Sequence, residues 1–459
     1  MYEKIKVTTQ KKDYLFTKKL FTLVLPIAFQ QFMLALVSAS DVFMLGKLEQ
    51  DALSAVSLAS QITFIQNLFL AAMTIGLSMF TAQYWGKKDI SSVEKLFAYV
   101  LKITFFISLI FTIAAFCTPK LLMRIFTADT ILIEKGAIYL YTVSLSYLLT
   151  GISQIYLCIL RNTGRAFASS LISSISVILN ILLNAIFIFG LFGMQKLEIE
   201  GAALATVSAK MIELVLCIAE TSRKNYVGLR WTYFIKKDKK LCFDFWKYTS
   251  PVLGNEILWG CGFAMYSVIM GHLGNDAVAA NSIANIVKNL VACFCLGLGS
   301  GGSIIVGNEL GRGRTDIAKD YAARLCKISI ICGIISGLLL LMLSPIVFHI
   351  TNLSNQATIY LKWMLVMCSY YLIGKSINNI TISGIFCAGG DSKFGFFCDA
   401  IVMWCITVPL GFLSAFIFHL PVLAVYFIIT LDETLKLPAV YKNYKKYKWV
   451  KDLTLREDL

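Results

Sequence analysis

The chain has 459 residues, 58% of them hydrophobic and 15% charged, with a mean hydropathy of +0.73 and a formal net charge of +15. That balance excludes a string of soluble domains, which would need neither apolar runs of this length nor so many of them. The positive charge does not mark a nucleic-acid binder, because the basic residues fall in short loops and tails around hydrophobic spans.

Residues 1–19 form a polar, lysine-rich cytoplasmic tail. They are too polar for the apolar region of a cleavable leader, and the run that follows is long enough to span. Hydropathy predicts an all-α polytopic membrane protein with twelve transmembrane helices, near 20–46, 53–80, 94–118, 136–159, 166–190, 199–220, 245–270, 277–306, 319–347, 357–386, 394–418 and 420–440. A basic linker over 223–244 separates a first lobe (20–222, six spans) from a second (245–441, six spans), and 442–459 form a cytoplasmic tail. About 29 basic residues fall on one side of this topology and about five on the other. The bias puts both termini in the cytoplasm and suits a cell membrane.

The first span carries one carboxylate, Asp41, late in an outward run. A charged aspartate costs about 2.5–3.5 kcal/mol at the centre of a spanning helix on insertion scales, so it is expected to face a cavity or a partner. The plainer reading is that it has slid to the interface ahead of Lys47. Asn180 and Asn184 lie late in the fifth span, one helical turn apart and on one face. Thr206 lies early in the returning sixth, so topology sets all four in the outer half of the membrane. One carboxylate, two amide oxygens and a hydroxyl are hard ligands that would suit Na⁺. The same surroundings would equally hold a proton on a desolvated aspartate. The plainer reading of the asparagines is interhelical hydrogen bonding.

In the second lobe, Glu256 lies about ten residues into the seventh span, by the boundaries above. Lys288 and Lys375 occur at mid-span depth in the eighth and tenth, and the tenth adds Asn378 and Asn379. Glu256 either binds a cation or a substrate amine, or neutralises one of the lysines. Lys210 and Glu213 read as a local pair. Phe64, Met73, Trp259, Met265 and Tyr266 are candidate cavity-lining side chains for organic cations, although most such residues face lipid or other helices. Pro26, Pro251 and Pro409 are tolerated kinks. The thirteen cysteines are scattered and the three histidines are far apart, which leaves no zinc site, disulfide framework or nucleophile–base pair legible. Gly374-Lys375-Ser376 resembles the end of a phosphate loop but lies in a spanning helix, so neither an ATP-driven pump nor a membrane enzyme is expected, and no cofactor.

An internal repeat joins the halves. VFMLGKLEQDALSAVSLA (42–59) aligns with SVIMGHLGNDAVAANSIA (267–284), pairing Gly46 with Gly271, Leu48 with Leu273, Asp51 with Asp276, and Ala52, Ala55 and Ala59 with Ala277, Ala280 and Ala284. The same offset pairs Pro26 with Pro251, Gly86 with Gly311 and Lys102 with Lys327. Two six-span halves entering from one side are related by an axis along the membrane normal, as in many secondary transporters.

These residues resemble the multidrug and toxic compound extrusion (MATE) family. The resemblance rests on Asp41-Val-Phe-Met-Leu-Gly46-x-Leu48, Gln83-x-x-Gly86, Leu160-Arg161-x-x-Gly164, Asn180-x-x-x-Asn184, Gly201-Ala-Ala-Leu-Ala-Thr206, Pro251-x-x-x-x-Glu256, Gly389-Gly390-Asp391 and a closing Lys-x-Lys-Trp449. It implies a V-shaped antiporter that exports amphipathic organic cations, such as drugs and dyes, in exchange for H⁺ or Na⁺ by alternating access. The coupling-ion role would fall on Asp41, assisted by Asn180, Asn184 and Thr206. Many relatives have an aspartate where this chain has Asn184. A second site of some relatives matches Glu256, but the tenth span has no carboxylate. The rival class is a flippase for lipid-linked sugars from the same superfamily, which a strongly positive cavity would favour. One chain contains both lobes, so a monomer suffices.

Overall fold

The computed structural model describes residues 13–45, 50–193, 195–223, 227–235, 238–351 and 353–455. Lys4, Lys6, Lys11 and Lys12, the Gly46-Lys47-Leu48 part of the repeat, the linker residues 224–226 and 236–237, and residues 456–459 lie outside the described residues.

Every regular element among the described residues is helical. In order these are α1 (Leu25–Leu45), α2 (Gln50–Lys87), α3 (Ile90–Cys117), α4 (Thr130–Asn162), α5 (Ala166–Phe189), α6 (Glu198–Thr221), α7 (Lys239–Gly271), α8 (Asn275–Gly311), α9 (Thr315–Ile350), α10 (Asn355–Phe386) and α11 (Ser392–Ile417). Eleven of the described helices are long and apolar enough to cross a membrane. The predicted twelfth span falls on two shorter helices, α12 (Val422–Ile429) and α13 (Asp432–Lys445). One continuous span was expected there, but the chain breaks at Thr430-Leu431. The Thr430 hydroxyl turns back onto the Tyr426 and Phe427 carbonyls at 3.0 Å each, and α13 then opens on Asp432 and Glu433. Acidic residues in a first turn complement the helix dipole.

Two of the prolines act locally. Pro lacks an N–H and crowds the carbonyl four residues back, which loosens the preceding turn. A π-helical turn, Leu20–Val24, leads into Pro26, and another, Ala400–Thr407, leads into Pro409. Around Pro251 the helix is uninterrupted.

The repeat is visible in the elements themselves. Helices starting at Gln50, Ile90 and Thr130 recur 225 residues later at Asn275, Thr315 and Asn355. Its alanines are packing residues: Ala55, Ala59, Ala277, Ala280 and Ala284 are fully buried and Ala52 nearly so. Ala52 packs with Ile188, Ile199 and Ala202, and Ala59 with Leu140 and Ala203. The trio on α8 packs with Leu361, Val422 and Tyr426. Small side chains let helix backbones approach closely.

The described chain divides into two compact units. One comprises Met33–Leu77 and Ile90–Asp244; its cores are built from α2, α4, α5 and α6, and Gly201 lets α6 approach the Phe187 carbonyl group of α5. The other joins the chain up to Phe32 and Ser78–Asp89 to everything from Phe245 onward. In this second unit the repeat glycines Gly86 and Gly311 meet across a crossing of α2 and α8. A methyl group on Gly86 would strike the Asn308 carbonyl, and one on Gly311 the Gln83 carbonyl. Gln83 is fully buried; its amide donates to Ala388 O at 2.7 Å and Lys451 O at 3.1 Å, and its carbonyl accepts from the Leu453 N–H at 2.7 Å. Trp449 is fully buried against Gly389. Glu309 closes the same end with Lys19 at 2.5 Å and Arg312 at 3.2 Å.

Gly311→Ala is expected to destabilise the protein by about 1–3 kcal/mol, because backbone atoms cannot step aside for the methyl group. Gly228→Ala, where a methyl group meets nothing, is the control. The check is thermal melting in detergent: a lower Tm for the first variant only is expected, and equal melting would contradict the crossing.

Candidate functional site

In the unit containing Met33–Leu77 and Ile90–Asp244, three helices bring the four first-lobe candidates together. Asn184 Nδ2 donates to Asp41 Oδ1 at 2.6 Å and to Asn180 Oδ1 at 3.2 Å. Asn180 Nδ2 donates to Thr206 Oγ1 at 3.3 Å, and Thr206 donates to Ala202 O at 3.0 Å. The i,i+4 spacing on α5 makes this chain possible, since one helical face carries both amides. Asn184 Oδ1 is buried with no hydrogen-bond partner among the described residues. It is a hard oxygen donor of the kind that small cations accept, as are the carboxylate oxygens of Asp41. Tyr139 of α4 stands within electrostatic reach of Asp41 and was not singled out from the sequence. Nearby polar residues on α4 and α6 are committed elsewhere: Lys210 pairs with Glu213 at 3.0 Å, as expected, and Ser153 donates to Glu213 at 2.8 Å.

In the second lobe, of the two readings open for Glu256, the one that pairs it with a lysine does not match the arrangement. Lys375 pairs with Glu433 of α13 at 3.2 Å, and its ammonium lies 5.2 Å from the Trp259 ring centroid. Lys436 pairs with Asp399 of α11 at 2.6 Å and lies 3.9 Å from Glu433. Asn378 donates to both the backbone carbonyl and Oε2 of Glu433, at 2.7 Å each, whereas Asn379 donates to Cys295 O at 2.9 Å. Both asparagines therefore hold helices together. Glu256 makes no ion pair among the described residues, although Lys375 and Asp399 lie within electrostatic reach. The group as a whole has four acids (Glu256, Asp399, Asp432, Glu433) and three lysines (Lys288, Lys375, Lys436), a formal excess of one negative charge. Asp399, Asp432, Glu433 and Lys436 were not singled out from the sequence. Their signal was present all the same, as ionisable residues inside the last two predicted spans.

Of the cavity candidates, Trp259 and Tyr266 line a cavity within this second unit. Met73 is fully buried in packing. Phe64 and Met265 are half-buried and do not line that cavity.

The MatE family model matches residues 26–186 and 251–413, more than half of the chain. The chain belongs to the MatE family. It is a multi-pass membrane transporter of a multidrug efflux family and not an enzyme. It is 20% identical to the uncharacterized transporter YisQ of Bacillus subtilis over 445 residues, covering 97% of this chain and 98% of the relative. With the probable multidrug resistance protein YoeA of the same organism, identity is 25% over 410 residues and 87% of each chain. The fold matches the Vibrio cholerae MATE transporter VcmN with a TM-score of 0.87 at 16% identity, over 96% of this chain and 99% of that one. It also matches a MOP superfamily transporter from Pyrococcus furiosus at 0.85 and 17% identity, over 94% and 95%.

Glu433→Gln is expected to destabilise this MatE protein by about 3–5 kcal/mol, because it strips a buried counter-charge from Lys375 and Lys436. Adding Lys375→Met should restore part of the loss. Melting curves of the single and double variants check this, and a single variant as stable as wild type would contradict it.

Proposed function

We propose that this MatE protein is a secondary active exporter of amphipathic organic cations, driven by inward movement of H⁺ or Na⁺ through alternating access of its two lobes. The observation that carries the reading is the Asn184–Asp41 hydrogen bond of 2.6 Å beside the unpartnered Asn184 Oδ1. A carboxylate held by the Asn184 amide, with no lysine or arginine paired to it among the described residues, can take one monovalent cation at a time. A proton or Na⁺ entering from outside then displaces an organic cation, and the displacement couples the two fluxes. Similarity to relatives such as the multidrug resistance protein NorM of Photobacterium profundum supports the same substrate class. The positive-inside bias supports a plasma-membrane protein with cytoplasmic termini, and a single chain with both lobes suffices as the working unit.

The lipid-linked-sugar flippase is disfavoured by the pairing of Lys375 and Lys436 with carboxylates. Those pairs remove most of the positive charge that an anionic lipid headgroup would require.

Wild type and Asp41→Asn reconstituted in liposomes, with a fluorescent organic cation and separately imposed pH and sodium gradients, test the proposal. Wild type should transport under one of the two gradients, which identifies the ion, and Asp41→Asn should lose at least about tenfold in rate, equivalent to about 1.4 kcal/mol. Undiminished transport by the variant would overturn the assignment.

A further inference from the structure

Part of the basic linker forms a wall over the first turns of α3. Arg230 Nε meets Glu94 at 2.9 Å, the Gly228 N–H donates to Glu94 Oε1 at 3.4 Å, and the hydroxyls of Ser91 and Tyr233 lie 3.3 Å apart. Under that wall is a pocket lined by Lys95, Tyr99 and Lys102 of α3 and by Tyr233, Phe234 and Asp238 of the linker. It lies wholly within the unit of Met33–Leu77 and Ile90–Asp244. Lys95 is answered by Asp238 at 3.7 Å. Lys102 is half-buried, and no carboxylate pairs with its ammonium among the described residues. A lysine withdrawn from water without a counter-charge is costly.

Beyond Lys102 the same face of α3 becomes apolar. Lys95, Tyr99, Lys102, Phe106, Ile110 and Ile113 follow one another at steps of three or four residues, so they form one stripe. Phe106, Ile110 and Ile113 are 53%, 67% and 51% exposed, as a lipid-facing surface requires. From Lys102 to the end of α3 at Cys117 the helix runs about 22 Å, less than the roughly 30 Å of a hydrocarbon core. Helical side chains lean toward the N-terminus of their own helix, so the Lys102 stem rises along the stripe toward the headgroups.

We infer that this pocket binds an anionic phospholipid, with the lipid phosphate on Lys102 and an acyl chain along Phe106, Ile110 and Ile113. Basic pockets at the cytoplasmic ends of spanning helices suit anionic headgroups. One phosphodiester neutralises the one unanswered ammonium. A zwitterionic headgroup would bring its own ammonium beside two lysines, whereas phosphatidylglycerol adds none. The repeat supplies a contrast: Lys327, the counterpart of Lys102 at the common offset, is exposed on α9 and is not part of this pocket. A lipid seated on Lys102 bridges α3 and the linker that joins the two halves of the repeat. The inference depends on the proposed topology only for the leaflet, the cytoplasmic one, that supplies the lipid; binding needs no gradient and no contribution from Asp41.

The test replaces the Phe106 side chain with a benzophenone in the full-length protein. The protein is reconstituted in vesicles of equimolar phosphatidylglycerol and phosphatidylethanolamine with identical acyl chains. Illumination joins the benzophenone to whichever chain lies against it, and mass spectrometry counts the two adducts. Phosphatidylglycerol should exceed its bulk share about fivefold, equivalent to about 1 kcal/mol for one unpaired lysine. Lys102→Met should return the ratio to bulk, Lys102→Arg should keep the excess, and Lys327→Met should leave it unchanged. The same benzophenone in place of Leu182, an exposed residue of α5, should report the bulk ratio throughout. A bulk ratio at position 106 without further substitution, an excess that survives Lys102→Met, or an equal excess at position 182 would each overturn the proposal. Inorganic phosphate added in excess should leave the ratio at position 106 unchanged. A return to bulk would overturn the proposal in favour of a soluble phosphate ligand. Adding Asp41→Asn should leave the excess intact, so a failed transport assay and a failed lipid assay remain distinguishable.

Discussion

A charge taken out of water inside a membrane protein must find a partner, and this constraint organises both halves of the molecule. In the second half the lysines of α10 and α13 are answered by Glu433 and Asp399, and Asn378 clamps Glu433 from its amide. The helix break at Thr430-Leu431 is followed at once by Asp432 and Glu433, and Glu433 meets both Lys375 and Lys436. In the first half the partner of Asp41 is neutral. Asn184 donates to the carboxylate and to Asn180, while Asn180 and Thr206 donate away from it, and among the described residues no cation pairs with Asp41. A neutralised network favours a fixed arrangement. An uncompensated carboxylate favours exchange of its counter-ion.

The repeat thus carries the scaffold, and the ionisable side chains carry the difference between the halves. Alanines at equivalent positions of α2 and α8 are buried against small or apolar neighbours, and Gly86 and Gly311 each let the other's helix come close. None of the charged residues of the second-half network has an identical partner in the first half at the repeat's offset. Duplicated packing with divergent charge is what two lobes of one transporter need if one of them is to handle the coupling ion.

Most of the architecture was legible because apolar runs of bilayer length and the alternation of basic loops are strong, local signals. The first-lobe cluster was legible as well, since Asp41, Asn180, Asn184 and Thr206 share a depth that topology alone supplies. What the sequence could not give was lateral neighbourhood. Glu256 was weighed as a partner for Lys288 or Lys375 on depth, whereas Lys375 turns to Glu433 on α13 and Lys288 to the rings of Tyr371 and Phe263. The last span read as one apolar run, and its polar centre was absorbed into that average. Glu433 and Lys436 were therefore overlooked although they stand inside it. Asn378 and Asn379 were candidates for a site; their NH2 groups are spent on helix contacts, while Asn378 Oδ1 is buried without a partner among the described residues.

The central claim is that one carboxylate, Asp41, binds the coupling ion and the organic cation in turn. The most direct measurement is the dissociation constant of a fluorescent organic cation for purified protein, titrated against pH at low sodium and against sodium at fixed pH. Mutually exclusive binding predicts that affinity weakens as one of the two ions rises, approaching tenfold per tenfold rise in that ion once it saturates the site, and that Asp41→Asn removes this dependence. An affinity indifferent to both ions in wild type, or the same dependence retained in Asp41→Asn, would contradict the account.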